Sequence, residues 1–326
     1  MRVGVDTFTI RDLHLNPWQT LDYLQVRGFD GAQFSHLSSL SPTLDMGELR
    51  DVRAYADERN LYTFVSVSSP NPFLHAEGAD ACVARIQHEI QCASAAGWHE
   101  LHASLGDDAT RFAHTVPWRQ HLDATAKIFT RLQPVLREYG SRINLEDHGD
   151  TTTFNLVELV EAIGPDIAGI CLDTANVLCM AEDPVAAARR VAPYTHLTHT
   201  KDAIVYFCEH GIRRQGRTPG EGILDWERIL PILAAYTPDL PLSIEDHKWL
   251  FDARIFDHDW LSAVAEVPRE DIIEVVRLAW QCQQQIADGI ISDPLAYEAI
   301  PYEIQMEARL TSGRVYLKSL LQRLNL

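Results

Sequence analysis

Short runs of β-branched and apolar residues alternate along the chain with longer stretches in which apolar residues recur every three or four positions. This is the pattern of repeated βα units around a parallel sheet. Eight strands are predicted, at residues 2–6, 31–35, 61–67, 100–104, 142–146, 168–173, 196–199 and 240–245. Helix signals fall between them. Asn16-Pro17 offers an N-cap and a first-turn proline ahead of Trp18, Leu21 and Leu24, with Gly28 as a stop. Leu49, Val52 and Tyr55 or Ala56 keep helical spacing within 46–59, as do Val83, Ile86, Ile90 and Ala93 before Gly97. Right-handed crossovers between eight parallel strands close naturally into a ring, so the expected fold is α/β, a (β/α)8 TIM barrel with an additional C-terminal helical extension. The rival, an open doubly wound sheet, would bring a glycine-rich phosphate loop after an early strand, and neither GxGxxG nor GxxxxGK[ST] occurs.

No internal repeat or low-complexity linker interrupts residues 1–267, which are read as one barrel domain. The stretch 268–326 is read as the last barrel helix plus the extension: 271–286 is rich in Ile, Val, Leu, Trp and Gln, and Ser292-Asp293-Pro294 starts a further helix. Ile300, Leu310, Val315, Leu317 and Leu321 need a cover. The extension is therefore either a solvated appendage or a contact with another copy or a partner.

Charge narrows the function classes. Against 46 Asp and Glu stand 28 Lys and Arg, a net −18 over 326 residues, which repels a polyphosphate backbone and an anionic membrane surface. Neither nucleic acid nor membrane is expected as a partner. No apolar run approaches the ~18 residues of a span, and MRVGVDTFTIRD carries charge where a signal peptide needs apolar residues, so a cytoplasmic location is expected. The six cysteines form no CxxC pair and read as buried reduced thiols.

The chemistry is expected at the C-terminal ends of the strands. Strands five to eight run out into NLEDHGD, ICLDTAN, LTHTKD and LSIEDHK. Glu146, Asp173, His199 and Glu245 each follow an apolar run at the point of emergence. Three carboxylates and an imidazole converging there would repel one another without a cation, and oxygen ligands with one nitrogen suit Mn²⁺ or Mg²⁺, with Co²⁺, Zn²⁺ or Fe²⁺ as alternatives. His148 is a candidate general base. His247, Lys201 and Asn176 are candidate substrate contacts, Lys201 alternatively pairing with Asp202. A long loop over 203–222 holds Arg213, Arg214 and Arg217 and reads as a lid, with Arg217 chosen as a substrate contact. Phe8, Trp18, Phe34, Phe73, Trp98 and Trp249 could stack on a sugar or fill the core. No GxSxG elbow appears, so covalent serine hydrolysis is not supported.

The series NLEDH, CLDTAN, THTKD, TPGEGILDW and LSIEDH resembles the sugar phosphate isomerase/epimerase superfamily, the xylose isomerase-like barrels, over about residues 2–247. The resemblance implies one divalent metal on Glu146, Asp173, His199 and Glu245. It also implies that the two glutamates act as acid and base on opposite faces of a keto-sugar, giving isomerisation or epimerisation. One position departs: many members carry a histidine three residues after the strand-six aspartate, and here it is Asn176. With His148, the lid and the tail, that departure turns attention to the C-glycoside deglycosidase catalytic subunits. These imply β-elimination from a 3-keto glycoside, as an inosose dehydratase would eliminate from an inosose. They also imply a small second subunit; the expected partners are thus a carbohydrate or glycoside substrate and a homo-oligomer or hetero-oligomer.

Overall fold

A computed structural model describes residues 1–113 and 115–326. The eight predicted strands form and close: β1 (Arg2–Asp6), β2 (Gly31–Phe34), β3 (Tyr62–Ser66), β4 (Glu100–Ala103), β5 (Arg142–Glu146), β6 (Ala168–Asp173), β7 (Thr195–Thr200) and, after the pair β8 (Asp202–Cys208) and β9 (Gly211–Arg217), β10 (Pro241–Ile244). Each barrel strand lies parallel to its neighbours, and β10 completes the ring against β1, with Arg2 beside Pro241 and Val5 beside Ile244. The crossovers are α1 (Pro17–Val26), α2 (Met46–Glu58), α3 (Gly78–Ala95), α4 (Asp108–Phe112) with α5 (Trp118–Tyr139), α6 (Thr153–Ile163), α7 (Pro184–Val191) and α8 (Trp226–Ala234).

Local chemistry sets these boundaries. Asn16 Oδ1 accepts from the Gln19 amide at 2.9 Å and Gln19 Oε1 from the Asn16 amide at 3.0 Å, a reciprocal cap that starts α1. Along α5, Leu122, Thr125, Phe129, Leu132 and Leu136 are buried at helical spacing between α3 and α6. Burying each large apolar side chain there contributes about 1.5–3 kcal/mol. At the closing edge, β1 and β2 leave room for Tyr62 by omitting side chains: a Cβ on Gly31 would lie 2.3 Å from Tyr62 Cγ, and one on Gly4 2.2 Å from its hydroxyl.

The β6–β7 register matters most for the site. Ile170 pairs with Thr195, but Cys171 pairs with Leu197, so His196 is an extra residue on β7 and Asp173 comes to lie beside His199. Without that bulge the pairing would run on to Thr198, and the imidazole would lie on the wrong face.

The stretch 203–222 is not a loop. β8 and β9 form an antiparallel hairpin extended by β11 (Leu250–Ala253), a three-stranded sheet beside the barrel mouth. One strand per βα unit is what a barrel pattern leads one to assign. The unbroken apolar run of Ala203, Ile204 and Val205 is instead buried as a second strand under α10 (Arg269–Ala287). Of the six thiols, all free, five are buried and Cys208, on this hairpin, is partly exposed.

After α9 (His258–Ala263) and α10 come α11 (Pro294–Ala299), capped by Asp293, and α12 (Tyr302–Leu324). The last helix packs on β1, β10 and α8, over the seam where the ring closes. Leu310, Leu317 and Leu321 are buried there by the chain's own barrel, while Ile300 and Val315 stay exposed. Among the described residues no helix is long and apolar enough to cross a membrane.

Arg309 fastens α12 to the residue after Glu245. Its Nε donates to Asp246 Oδ2 at 2.6 Å and its Nη2 to Asp246 Oδ1, both side chains being almost fully buried. Removing one partner strands a buried charge, so Arg309→Leu is expected to cost about 3–5 kcal/mol, read as a lower urea midpoint at unchanged slope. Asp246→Asn on that background should recover part of the loss. A midpoint unmoved by Arg309→Leu would show that the pair does not hold the helix.

Candidate metal centre

Four consecutive strands of the ring, β10, β7, β6 and β5, deliver the cluster. Glu146 ends β5, Asp173 ends β6, His199 is next to last on β7, and Glu245 follows β10 directly. One donor atom from each lies within 4.8 Å of the others, and all four side chains are buried. His199 Nδ1 is 2.9 Å from Glu146 Oε1 and 2.8 Å from Glu245 Oε2. Asp173 is oriented by its backbone: Oδ1 accepts from the Ala175 and Asn176 amides at 3.0 and 3.1 Å, which turns Oδ2 into the cluster.

Two of the inward oxygens, Asp173 Oδ2 and Glu245 Oε2, have no hydrogen-bond donor. Lys201 Nζ lies 2.6 and 2.9 Å from them, within ion-pairing distance but without hydrogen-bond alignment. Lys201 therefore answers to Asp173 and Glu245, not to Asp202. The Asp202 side chain is occupied by the amides of Ala203, Gly220 and Leu224 and by Trp226 Nε1.

The field at the centre favours positive charge. Burial works against ionising Glu146, but His199 and His148 nearby, with hydrogen bonds from His102 and His199, hold its carboxyl well below the usual range. Burial likewise opposes charge on Glu245, and Lys201 and His199 outweigh it. On Asp173 burial prevails over Lys201 and the carboxyl is raised. Lys201 pays the same penalty of burial, yet Asp173 and Glu245 lift its ammonium above the ordinary lysine value. Glu146, Asp173, Glu245 and His199 together form a donor set of hard oxygens with one nitrogen, which fits a divalent cation.

The other expected residues divide. His148 Nδ1 donates to the Gly106 carbonyl at 2.9 Å, leaving Nε2 to exchange a proton with a ligand. His247 Nδ1 accepts from the Trp249 amide at 3.3 Å, so Nε2 carries the hydrogen, 3.7 Å from Glu245 Oε1. Burial and the nearby Lys201 keep that ring neutral. Phe8 and Trp249 flank it at 5.9 and 5.4 Å, whereas Phe34 and Trp98 are core. Asn176 is buried and reaches Asp173 through its backbone amide. Arg217 is not gathered in: its guanidinium stacks on Tyr297 at 3.4 Å and donates to Gln215 Oε1.

Strand ends one, two and four add residues that reading strands five to eight overlooks. His102 Nε2 is 3.0 Å from Glu146 Oε2, and its Nδ1 is 2.7 Å from Ser66 Oγ. His199 Nε2 faces the Gln33 amide at 2.6 Å and Asp6 Oδ2 at 3.5 Å. Presenting the Nδ1 lone pair to a cation puts the proton on Nε2, and a half-turn of the Gln33 amide supplies the buried Oε1 to receive it. The signal available in the sequence was a polar residue at the last or next-to-last position of each of β1, β2 and β4. His102, Cys171 and His199 also lie within ligand distance of one another, but burial raises the Cys171 thiol well above its usual range. Arg214, buried on β9, keeps Nε and Nη2 without a partner, and its charge works with Lys201 against the upward pull of burial on Asp173.

A family model described as a xylose isomerase-like TIM barrel matches residues 21–262. Over 123 residues the chain is 24% identical to the uncharacterized protein YihM of Escherichia coli strain K12, a match spanning 38% of that protein's length and 38% of this chain. The structure of L-ribulose 3-epimerase superposes with a TM-score of 0.60 at 19% identity, over 99% of this chain and 95% of that one. That of 3-keto-D-glucoside 4-epimerase YcjR from E. coli gives 0.57 at 15%, over 82% and 99%. At these identities the likeness carries the fold. The closed ring and a family match over most of its length agree: the chain belongs to the xylose isomerase-like TIM barrel family.

Proposed function

We propose that the chain is a divalent-metal-dependent carbohydrate enzyme that enolises a keto-sugar by proton abstraction and completes an isomerisation or epimerisation. The observation that carries this reading is the buried group Glu146, Asp173, His199 and Glu245, with donor atoms within 4.8 Å of one another at the catalytic end of a closed barrel. A divalent cation held there, Mn²⁺ as the first choice, would polarise a carbonyl and stabilise the negative charge that develops when the neighbouring proton leaves. Epimerases for L-ribulose and for 3-keto-D-glucoside among the structural neighbours support a sugar as substrate.

The chain's own groups manage the protons. Glu146 and Glu245 stand on either side of His199, 2.9 and 2.8 Å from its Nδ1. One takes the proton from the carbon beside the carbonyl and the other returns a proton to the opposite face. Lys201 and the free N–H groups of Arg214 supply hydrogen bonds to sugar oxygens, and His247 Nε2–H orients Glu245. Burial of all these side chains keeps bulk water from protonating the enolate indiscriminately. His148 is a third proton carrier beyond the two that epimerisation needs. It favours a second reading, in which the same enolate expels a β-substituent and His148 Nε2 protonates the leaving group, as in C-glycoside cleavage or inosose dehydration.

Deuterium wash-in from heavy water is expected on at least one member of a panel of ketoses, inososes and 3-keto glycosides with Mn²⁺ supplied. Exchange on none of them would sink both readings. A ketose epimer as product selects the first, and an aglycone or dehydrated product selects the second. Glu146→Gln and Glu245→Gln should each slow the exchange ~10²- to 10⁴-fold, the usual worth of a positioned acid or base.

Metal stoichiometry tests the ligand assignment separately. One equivalent of divalent cation per chain is expected by elemental analysis, with Mn²⁺, Mg²⁺, Co²⁺, Zn²⁺ and Fe²⁺ compared after chelation. Saturation at 100 times Kd should raise the unfolding free energy by about 2.7 kcal/mol. Asp173→Asn should abolish that gain, and an unchanged gain would place the cation elsewhere.

A further inference from the structure

Beside the metal centre the catalytic face holds a second feature that enolisation of a sugar does not use. A cavity of about 400 Å³ opens among the loops that follow β4, β5, β6 and β10, walled by Phe112, Gly149, Cys179, Met180, Phe251 and Trp260. Most of these belong to an apolar cluster separate from the barrel core, which also contains Ala253, Val264 and Val267. Phe112 stacks on Trp260 at 6.1 Å and 24°. The Cys179 thiol, pushed up to about 12 by burial, is an uncharged part of the wall.

Two contacts tie this cavity to the centre. From Glu245 a ladder of rings leads outward, His247 to Trp249 at 5.4 Å and Trp249 to Phe251 at 5.8 Å. Phe251 also packs on the backbone just past His148: a Cβ on Gly149 would lie 3.3 Å from its ring, and Gly149 has φ +78°. A ligand whose reacting carbons sit at the cluster thus has an apolar wall within reach of its far end.

The rim says what that far end is. Asp252 is held by Arg213 through bonds of 2.6 and 2.7 Å, and Arg254 pairs with Asp257 at 2.9 Å. Asp108, the remaining charged residue at the rim, is an exposed carboxylate. Among the described residues that line the cavity, no cation is left over to receive a phosphate or carboxylate. A free monosaccharide, hydroxylated all round, would waste the wall, whereas an uncharged ring would bury on it.

Resting on the carbohydrate reading above, we propose that this cavity is a subsite for a neutral aromatic substituent, so that the substrate is a glycoside carrying an aryl group and not a free ketose. Burying one aromatic ring there should be worth ~10- to 100-fold in affinity.

Calorimetric titration of the full chain with Mn²⁺ supplied, using phenyl and methyl β-D-glucoside as probes, tests this directly. The phenyl compound is expected to bind ~10- to 100-fold more tightly. Phe112→Ala, at a partly exposed position, and Met180→Ala should each erode that preference several-fold while leaving methyl glucoside affinity and the circular dichroism spectrum unchanged. Equal affinities, no phenyl glucoside binding at millimolar concentration, or a preference that survives both substitutions would each overturn the subsite. The two readings fail separately: loss of deuterium wash-in with the phenyl preference intact removes the enolisation chemistry alone, and wash-in without the preference removes the subsite alone.

Discussion

Carboxylates buried within a few ångströms of one another repel by about 4 kcal/mol per pair at the effective dielectric of a protein, and each also forfeits its hydration. The mouth of this barrel holds three of them, and most of the surrounding structure answers to that expense. Lys201 is drawn to two of the three, His102 and His199 hold the third, and amides at the start of the turn after β6 take the spare oxygen of Asp173. Gln33 and Asp6 in turn hold the far side of His199. A site assembled this way is selective for what it lacks, which is compact positive charge.

The ring alone would not have assembled it. Side chains on a strand alternate, so the cluster depends on parity, and parity is corrected by one extra residue, His196, on β7. That insertion costs a local break in the ladder between two central strands. Bulges next to active sites serve this purpose, re-aiming a side chain without moving the strand.

Much of the site was legible because Glu146, Asp173, His199 and Glu245 interrupt apolar runs at the same point of four successive βα units. Asp6, Gln33 and His102 occupy equivalent levels on three other strands but come singly, without a neighbouring motif to mark them. The hairpin of β8 and β9 was hidden by the barrel pattern itself, since its apolar run sits where only a connection is expected. Arg217 could not be placed from its surroundings in sequence because its partner, Tyr297, lies far along the chain on α11, where Gln215 and Lys248 also reach the backbone. Long-range packing of this kind leaves no local period to read.

The helix that covers the seam has an implication for how the molecule comes into being. β1 is made well before its ring neighbour β10 and the cover supplied by α12. Until then the nascent protein carries an open, apolar sheet edge, and Glu245 has not joined Glu146, Asp173 and His199. Synthesis order therefore delays ring closure until β10 has been made, and Arg309 fastens α12 beside Glu245 only after that.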